Sequence, residues 1–169
     1  MVAEMDVAER LFLDIIRAIQ RASVTEPVYS LVLAYDSEKP VPPILGIGTV
    51  RELQHWLDAG ASTARDYVWN PAEYEIFDSV ELELSEEEYD LYWAALQAEF
   101  GSVGAYEAAR QCLLEVARRL SQHNYNGLLT TSSLFVAYPV HLEMHDLEDN
   151  FREVVPDETL VDIKSQGLL

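Results

Sequence analysis

The segment Val28–Tyr35 constrains the fold more than any other part of the chain. Seven of its eight residues are β-branched, aromatic or apolar, the exception is a serine, and none is charged. A short run of this composition predicts a strand buried inside a sheet. A second short strand is predicted at Pro43–Gly48 and a last one at Leu134–Met144, where Pro139 favours an edge position or a bulge. Val80–Leu84 alternates apolar and acidic residues, which predicts either a half-exposed strand or an extended lead-in to a helix.

Capping sequences mark the helix starts. Thr49 and Ser85 are each followed three residues later by a glutamate, so the hydroxyl can accept from one amide while the carboxylate reaches back to another. Asn70-Pro71 marks a third start, which we expect to open only one or two turns. The predicted helices cover residues 3–22, 49–59, 70 onward, 85 to the glycines at 101 and 104, 105–122 and 147–154, and residues 61–68 are predicted as loop.

Helices interleaved with a few strands predict an α+β fold, in which a small, mostly antiparallel sheet packs against several helices. The length of 169 residues suits one domain with one core, and 49% of the residues are hydrophobic. The chain contains no internal repeat, low-complexity tract or linker. We therefore expect a single α+β domain over residues 1–169.

The charge balance restricts the classes of partner. Thirty Asp and Glu face eleven Lys and Arg, which gives a formal net charge of -19. Such a surface repels phosphate backbones and anionic lipid headgroups, so binding to nucleic acid or to a membrane surface is disfavoured. It attracts a basic protein and accelerates the encounter with it. The oligomeric state is left open by the composition.

The single cysteine and the N-terminal residues bear on the compartment. One thiol, that of Cys112, provides no disulfide framework, which fits a reducing compartment. Acidic residues interrupt the apolar N-terminus, whereas a signal peptide has a basic start and an uncharged apolar run; these residues are Glu4, Asp6, Glu9 and Asp14. We expect a cytoplasmic protein.

Acidic residues concentrate in two stretches of the sequence. Pro71–Asp90 holds nine acids and no Lys or Arg, and Glu143–Asp162 holds eight acids with Arg152 as the one Lys or Arg. Such runs are typical of a solvated face, but carboxylates around aromatic anchors also suit an interface with a basic protein. The candidate interaction residues are Trp69, Glu73, Tyr74, Glu86, Glu87, Asp90 and Asp149.

The end of the last predicted strand carries a candidate metal site. His141, Glu143 and His145 alternate there, and alternation places three side chains on one face of a strand, where two imidazoles and a carboxylate suit a metal ion. The alternative is that these are solvent-facing residues at a point where the strand leaves the sheet. No cofactor is expected.

Two further sequence features are better explained by structural roles than by catalysis or nucleotide binding. Cys112 lies beside Leu113 in a predicted helix. This position favours a small core residue over a nucleophile with a histidine as its general base. Gly46 and Gly48 precede a helix, but position 51 is Arg51, so the dinucleotide-binding pattern is incomplete. The sequence therefore supplies no catalytic residue.

At Trp69-Asn-Pro-Ala-Glu-Tyr74 the chain resembles a bacterial family catalogued as domain of unknown function 4303. The resemblance extends to the order of elements: an N-terminal helix, a strand like Tyr29–Tyr35, further helices, a late strand and an acidic helix. The family ends in an Asn-Pro-like corner that corresponds to Asn150–Pro156, where Val155 departs from the usual polar residue. The resemblance transfers no catalytic role, and it implies a loose association with immunity functions in bacterial toxin systems.

Two functions of different classes follow from these observations. The first is a binding protein without catalytic activity, most concretely an immunity-type protein that masks a basic partner such as a toxin domain. The alternative is a small metal-dependent or acid/base hydrolase that uses the strand His141–His145. A mimic of the nucleic-acid backbone is a third possibility, which requires a regular stripe of carboxylates.

Overall fold

The strand β1 (Val28–Tyr35) lies inside the sheet of the computed structural model, which describes residues 7–169. The sheet order is β3-β2-β1-β4; β2 pairs antiparallel with β1 and with β3, and β4 runs parallel to β1. The other strands are β2 (Ile44–Thr49), β3 (Ile76–Phe77) and β4 (Thr131–His141). The helices are α1 (Val7–Ala22), α2 (Val50–Asp58), α3 (Ala61–Tyr67), α4 (Glu86–Gln122), α5 (Leu147–Val154) and α6 (Asp157–Ser165), with a 3-10 turn at Pro71–Glu73. This is the expected α+β fold.

All eight residues of β1 are buried, so the sheet is covered on both faces at this strand. Pro139 pairs with Leu33 from β4, an edge strand of the sheet, where a residue without an amide proton is tolerated. Its predicted edge position is therefore confirmed.

Glycine is required in β2 because a Cβ at Gly46 would lie 2.5 Å from Val32 Cγ1, and one at Gly48 would lie 2.7 Å from Tyr29 Cε1. Close packing against β1 therefore explains both glycines, without a bound phosphate or nucleotide.

The capping predictions hold. Thr49 and Glu52 form a reciprocal capping box at the start of α2, and Ser85 and Glu88 form another at the start of α4. The Asn70 side chain accepts from the Ala72 amide, although the element that follows is only a 3-10 turn. The helix predicted at Leu147–Val154 is present with those bounds. Residues 3–6 of the predicted first helix lie outside the described residues.

Several elements differ from the predictions. Residues 61–68 are mostly helical, not loop; α3 begins after Gly60, whose backbone has φ 108° and which offers no side-chain cap to signal the helix. The helix α6 also lacks a side-chain cap, at Pro156, and was not expected. The last strand ends at His141, so Glu143 and His145 lie beyond it in a turn.

Gly101 divides α4 into two arms, residues 86–100 and 102–122. Its backbone has φ 69° and ψ 173°, which interrupts the helix. The Cys112 thiol of the second arm is close enough to the Tyr89 hydroxyl of the first to contribute to its raised pKa, whose main cause is burial. The arms therefore fold back on each other. Cys112 packs against the hydrophobic core, as expected.

A buried carboxylate holds the segment before α4 against α1. Asp14 is 2% exposed and accepts hydrogen bonds from the amides of Glu83 (2.6 Å) and Leu84 (3.1 Å), and from the Tyr89 hydroxyl (3.3 Å). Val80–Leu84 is therefore the extended lead-in, and not a strand, because Asp14 takes two amides that a sheet would have used. Arg10, Arg17 and Arg21 of α1 add ion pairs to Glu88 and Glu83.

Replacement of Asp14 tests this connection. We expect Asp14→Ala to lower the free energy of unfolding by about 3 kcal/mol, because three donors lose a buried acceptor. Asp66→Ala removes an exposed carboxylate without a hydrogen bond among residues 7–169 and is expected to change it by less than about 0.5 kcal/mol. Urea denaturation measures both. Equal effects would show that Asp14 does not anchor the segment.

Candidate functional site

An acidic groove runs between the connection that follows β1 and the segment that leads into α4. Its volume is about 510 Å³. Its acidic lining is Asp36, Asp78, Glu81 and Glu86, and its apolar lining includes Pro42, Pro43, Ile44, Leu45, Val80, Leu82 and Leu84. Carboxylates from two distant parts of the chain thus surround an apolar surface.

The carboxylates of the acidic groove are not neutralised by the part of the chain that the structure describes. Within residues 7–169, none of the four forms an ion pair. Asp36 accepts from the amides of Glu38 and Lys39, both at 2.8 Å. The one basic side chain of the lining, Lys39, binds Asp90 instead, with 2.5 Å between Nζ and Oδ1. The acidic groove therefore keeps a negative charge that a basic ligand can neutralise.

The helix α4 exposes further acidic and apolar side chains. Glu87 and Asp90 are exposed there, and Leu91, the next residue, is 73% exposed. Phe100 and Val103, on either side of Gly101, are 50% and 87% exposed. The sequence from Glu86 to Ala109 contains no Lys or Arg. Among residues 7–169, the cations paired with acids of this segment are Arg10, Lys39 and Arg110. A partner with apolar and basic side chains matches this composition.

The structure separates the seven candidate interaction residues. Glu86 lines the acidic groove, Asp90 binds its lysine, and Glu87 is exposed beside them. Glu73 is exposed in another depression, with His55 and Trp56, and Asp149 of α5 pairs with Arg152. The first acidic stretch therefore lines both the acidic groove and the Glu73 depression, and Asp149 of the second stretch lines a third depression. The groove residues Asp36, Lys39, Asp78 and Glu81 were missed, because nothing in their local sequence shows that they face one another.

Trp69 and Tyr74 are buried, at 1% and 5% exposure, so the prediction that they belong to an exposed interface was wrong. The Trp69 indole donates to the Leu168 carbonyl at 2.7 Å and holds the C-terminal residues in place. The Tyr74 hydroxyl donates to the Val68 carbonyl at 2.9 Å and accepts from Ser30 Oγ at 3.0 Å. Burial raises the pKa of Tyr74 well above its ordinary value, which keeps the hydroxyl protonated as a donor. The Trp69–Tyr74 segment is thus part of the core.

The turn between β4 and α5 brings the three predicted metal ligands together. One potential ligand atom from each of His141, Glu143 and His145 lies within 4.8 Å of the others. The cause is not strand alternation, which was the basis of the prediction. Met144, with φ 62°, donates its amide to the His141 carbonyl at 2.7 Å, and the His145 ring folds over His141 with 4.2 Å between ring centroids.

The hydrogen bonds of His141 define its tautomer. The Glu143 amide donates to Nδ1 at 3.1 Å, so this nitrogen carries no proton. The neutral ring therefore bears its proton on Nε2 and donates to Ser37 Oγ at 2.9 Å. A serine nucleophile needs the opposite arrangement, in which the histidine accepts its proton. Ser37 and His141 consequently do not form a nucleophile and base pair in this state.

No helix among residues 7–169 has the length and apolar character needed to cross a bilayer. Comparison of the chain with protein-family models, with curated proteins and with solved structures gives no match. The resemblance to domain of unknown function 4303 therefore stays a prediction.

The burial of Trp69 generates a test. We expect Trp69→Ala to lower the free energy of unfolding by about 3–5 kcal/mol, because it leaves a cavity and frees the Leu168 carbonyl. Tyr67→Ala removes an aromatic ring that is 36% exposed, and we expect a loss of about 1 kcal/mol. Chemical denaturation followed by circular dichroism compares them. If Trp69→Ala were no more destabilised than Tyr67→Ala, the core assignment of the segment would be wrong.

Proposed function

We propose that the protein binds a basic partner protein in the cytoplasm and masks it, as an immunity-type protein masks a toxin domain. The observation that carries this proposal is the acidic groove, whose four carboxylates lack ion-pair partners among residues 7–169 and surround an apolar surface. Apolar side chains of a partner would pack on the half-buried Val80, Leu82 and Leu84, while its Lys or Arg side chains would neutralise the rim. Nucleic acid and membrane surfaces carry the wrong charge for this groove.

The charge of the whole molecule supports the same function. At -19, the protein attracts a basic partner over long range and accelerates its encounter, while the apolar surface contributes to the lifetime of the complex. The resemblance to a family with a loose link to toxin immunity favours a toxin domain as the partner. The hydrolase alternative stays a prediction, and its acid/base form with Ser37 as nucleophile is disfavoured, since the protonated Nε2 of His141 faces Ser37.

Two charge variants locate the binding site. The groove variant carries Asp78→Asn, Glu81→Gln and Glu86→Gln, and the control variant carries Asp157→Asn, Glu158→Gln and Asp162→Asn in α6. Both lose three negative charges, and each removes acids from the first turn of a helix. The probe is a fluorescent peptide of alternating Lys and Leu, and its affinity is measured by anisotropy at 0.15 M salt, where the Debye length is about 8 Å.

We expect the groove variant to bind this peptide about tenfold more weakly than the unaltered protein, since each exposed ion pair contributes about 0.5 kcal/mol and a tenfold change corresponds to about 1.4 kcal/mol. The control variant should bind within about twofold, because none of its three positions lines the acidic groove and salt screens charges outside it. Equal losses in the two variants would show that the acidic groove is not the binding site.

The products of the adjacent genes test the physiological role. We expect one of them to be a basic protein that inhibits growth when expressed alone and is tolerated when it is expressed together with this protein. The groove variant should give less protection than the control variant. The immunity role is wrong if no adjacent product is toxic, or if the complex does not form at low salt.

A further inference from the structure

We propose that the turn between β4 and α5 binds a divalent transition-metal ion, with His141, Glu143 and His145 as its protein ligands. The proposal is independent of the acidic groove, with which this turn shares no lining residue. Two imidazoles and one carboxylate form a donor set that suits Zn²⁺ and its neighbours in the first transition series, whereas Mg²⁺ and Ca²⁺ prefer oxygen ligands.

The distances are short enough for coordination after small side-chain movements. The potential ligand atoms lie within 4.8 Å of one another, and ligand atoms around a tetrahedral zinc ion are roughly 3.4 Å apart. The Glu143 and His145 side chains are 82% and 54% exposed, so both can move toward the ion. His141 is 4% exposed and provides the stationary ligand.

Hydrogen bonds of Asp146 and Asn150 hold the backbone of the turn in place. Asp146 accepts from the His141 amide at 2.8 Å through Oδ1 and from Asn150 Nδ2 at 2.9 Å through Oδ2. Asn150 in turn accepts from Arg110 Nη2 at 2.6 Å through Oδ1. The positive φ of Met144, which is uncommon for a residue other than glycine, is maintained on this support. Ligands on a fixed turn lose less conformational entropy when an ion binds.

The hydrogen bonds of His141 match the tautomer that a metal ligand needs. Its Nδ1 is unprotonated and carries a lone pair, while its Nε2 proton is donated to Ser37 Oγ at 2.9 Å. Metal-bound histidines commonly donate their second nitrogen in this way, which fixes the tautomer and the ring orientation. An ion at Nδ1 displaces the Glu143 amide, which belongs to an exposed residue and is left to water. Binding therefore reorients the Glu143 peptide, while Asp146 and Asn150 hold the rest of the turn.

Three protein ligands leave at least one coordination position for water. His145 also lines a depression of about 440 Å³ together with Arg65, Glu148 and Asp149. Solvent thus has access to the site from the side of His145.

The test uses the full chain, stripped of metal with a chelator and dialysed, and titrated calorimetrically with ZnCl₂. We expect one Zn²⁺ per chain with a dissociation constant below about 10 μM, and a higher melting temperature. MgCl₂ should produce neither effect. Glu143→Gln and His145→Ala alter exposed side chains, so both variants should fold, and each should bind Zn²⁺ at least about tenfold more weakly.

Ser37→Ala should weaken Zn²⁺ binding by about tenfold, since it removes the partner that orients His141. The matched control is His55→Ala, which removes an exposed histidine of α2 and should leave the affinity for Zn²⁺ unchanged. The proposal is overturned if Zn²⁺ does not bind with a dissociation constant below about 10 μM. It is equally overturned if the double variant Glu143→Gln/His145→Ala keeps the full affinity, or if His55→Ala loses it.

Discussion

The complete burial of β1 is the constraint on which the rest of the structure depends. Because successive side chains of a strand point to opposite faces, eight consecutive buried residues require cover on both faces of the sheet. Their amides and carbonyls also require a strand on each side, which β2 and β4 provide. Ser30 is the one polar residue of β1, and it is buried with a hydrogen bond to the Tyr74 hydroxyl. The Trp69–Tyr74 segment therefore packs in the core, where Tyr74 satisfies the Ser30 hydroxyl.

The large negative charge is distributed unevenly by the fold. Arginines of α1 neutralise Glu83 and Glu88, and Arg51 neutralises Glu75, so part of the first acidic stretch serves to attach its own segment. The carboxylates that remain without such partners among the described residues include those of the acidic groove. The function proposed for the protein rests on this remainder, and not on the net charge alone.

Local sequence predicted the elements whose signals are local. The capping boxes at Thr49 and Ser85, the apolar run of β1 and the proline of an edge strand each act within a few residues, so their consequences could be inferred. The helices α3 and α6 lack side-chain caps and depend on packing, which explains why they were missed. The three candidate metal ligands lie close together, but not for the predicted reason, because a turn and not a strand brings them together.

The sequence by itself determined the α+β class, the buried central strand, most of the helix starts and the acidic character of the surface. Only the tertiary structure decided which carboxylates meet, which aromatic residues are exposed, and how His145 comes to lie over His141. The physical reason is distance along the chain. Asp36 and Glu86 line one groove because the segment that leads into α4 is held on α1 by Asp14, a contact between residues about seventy positions apart.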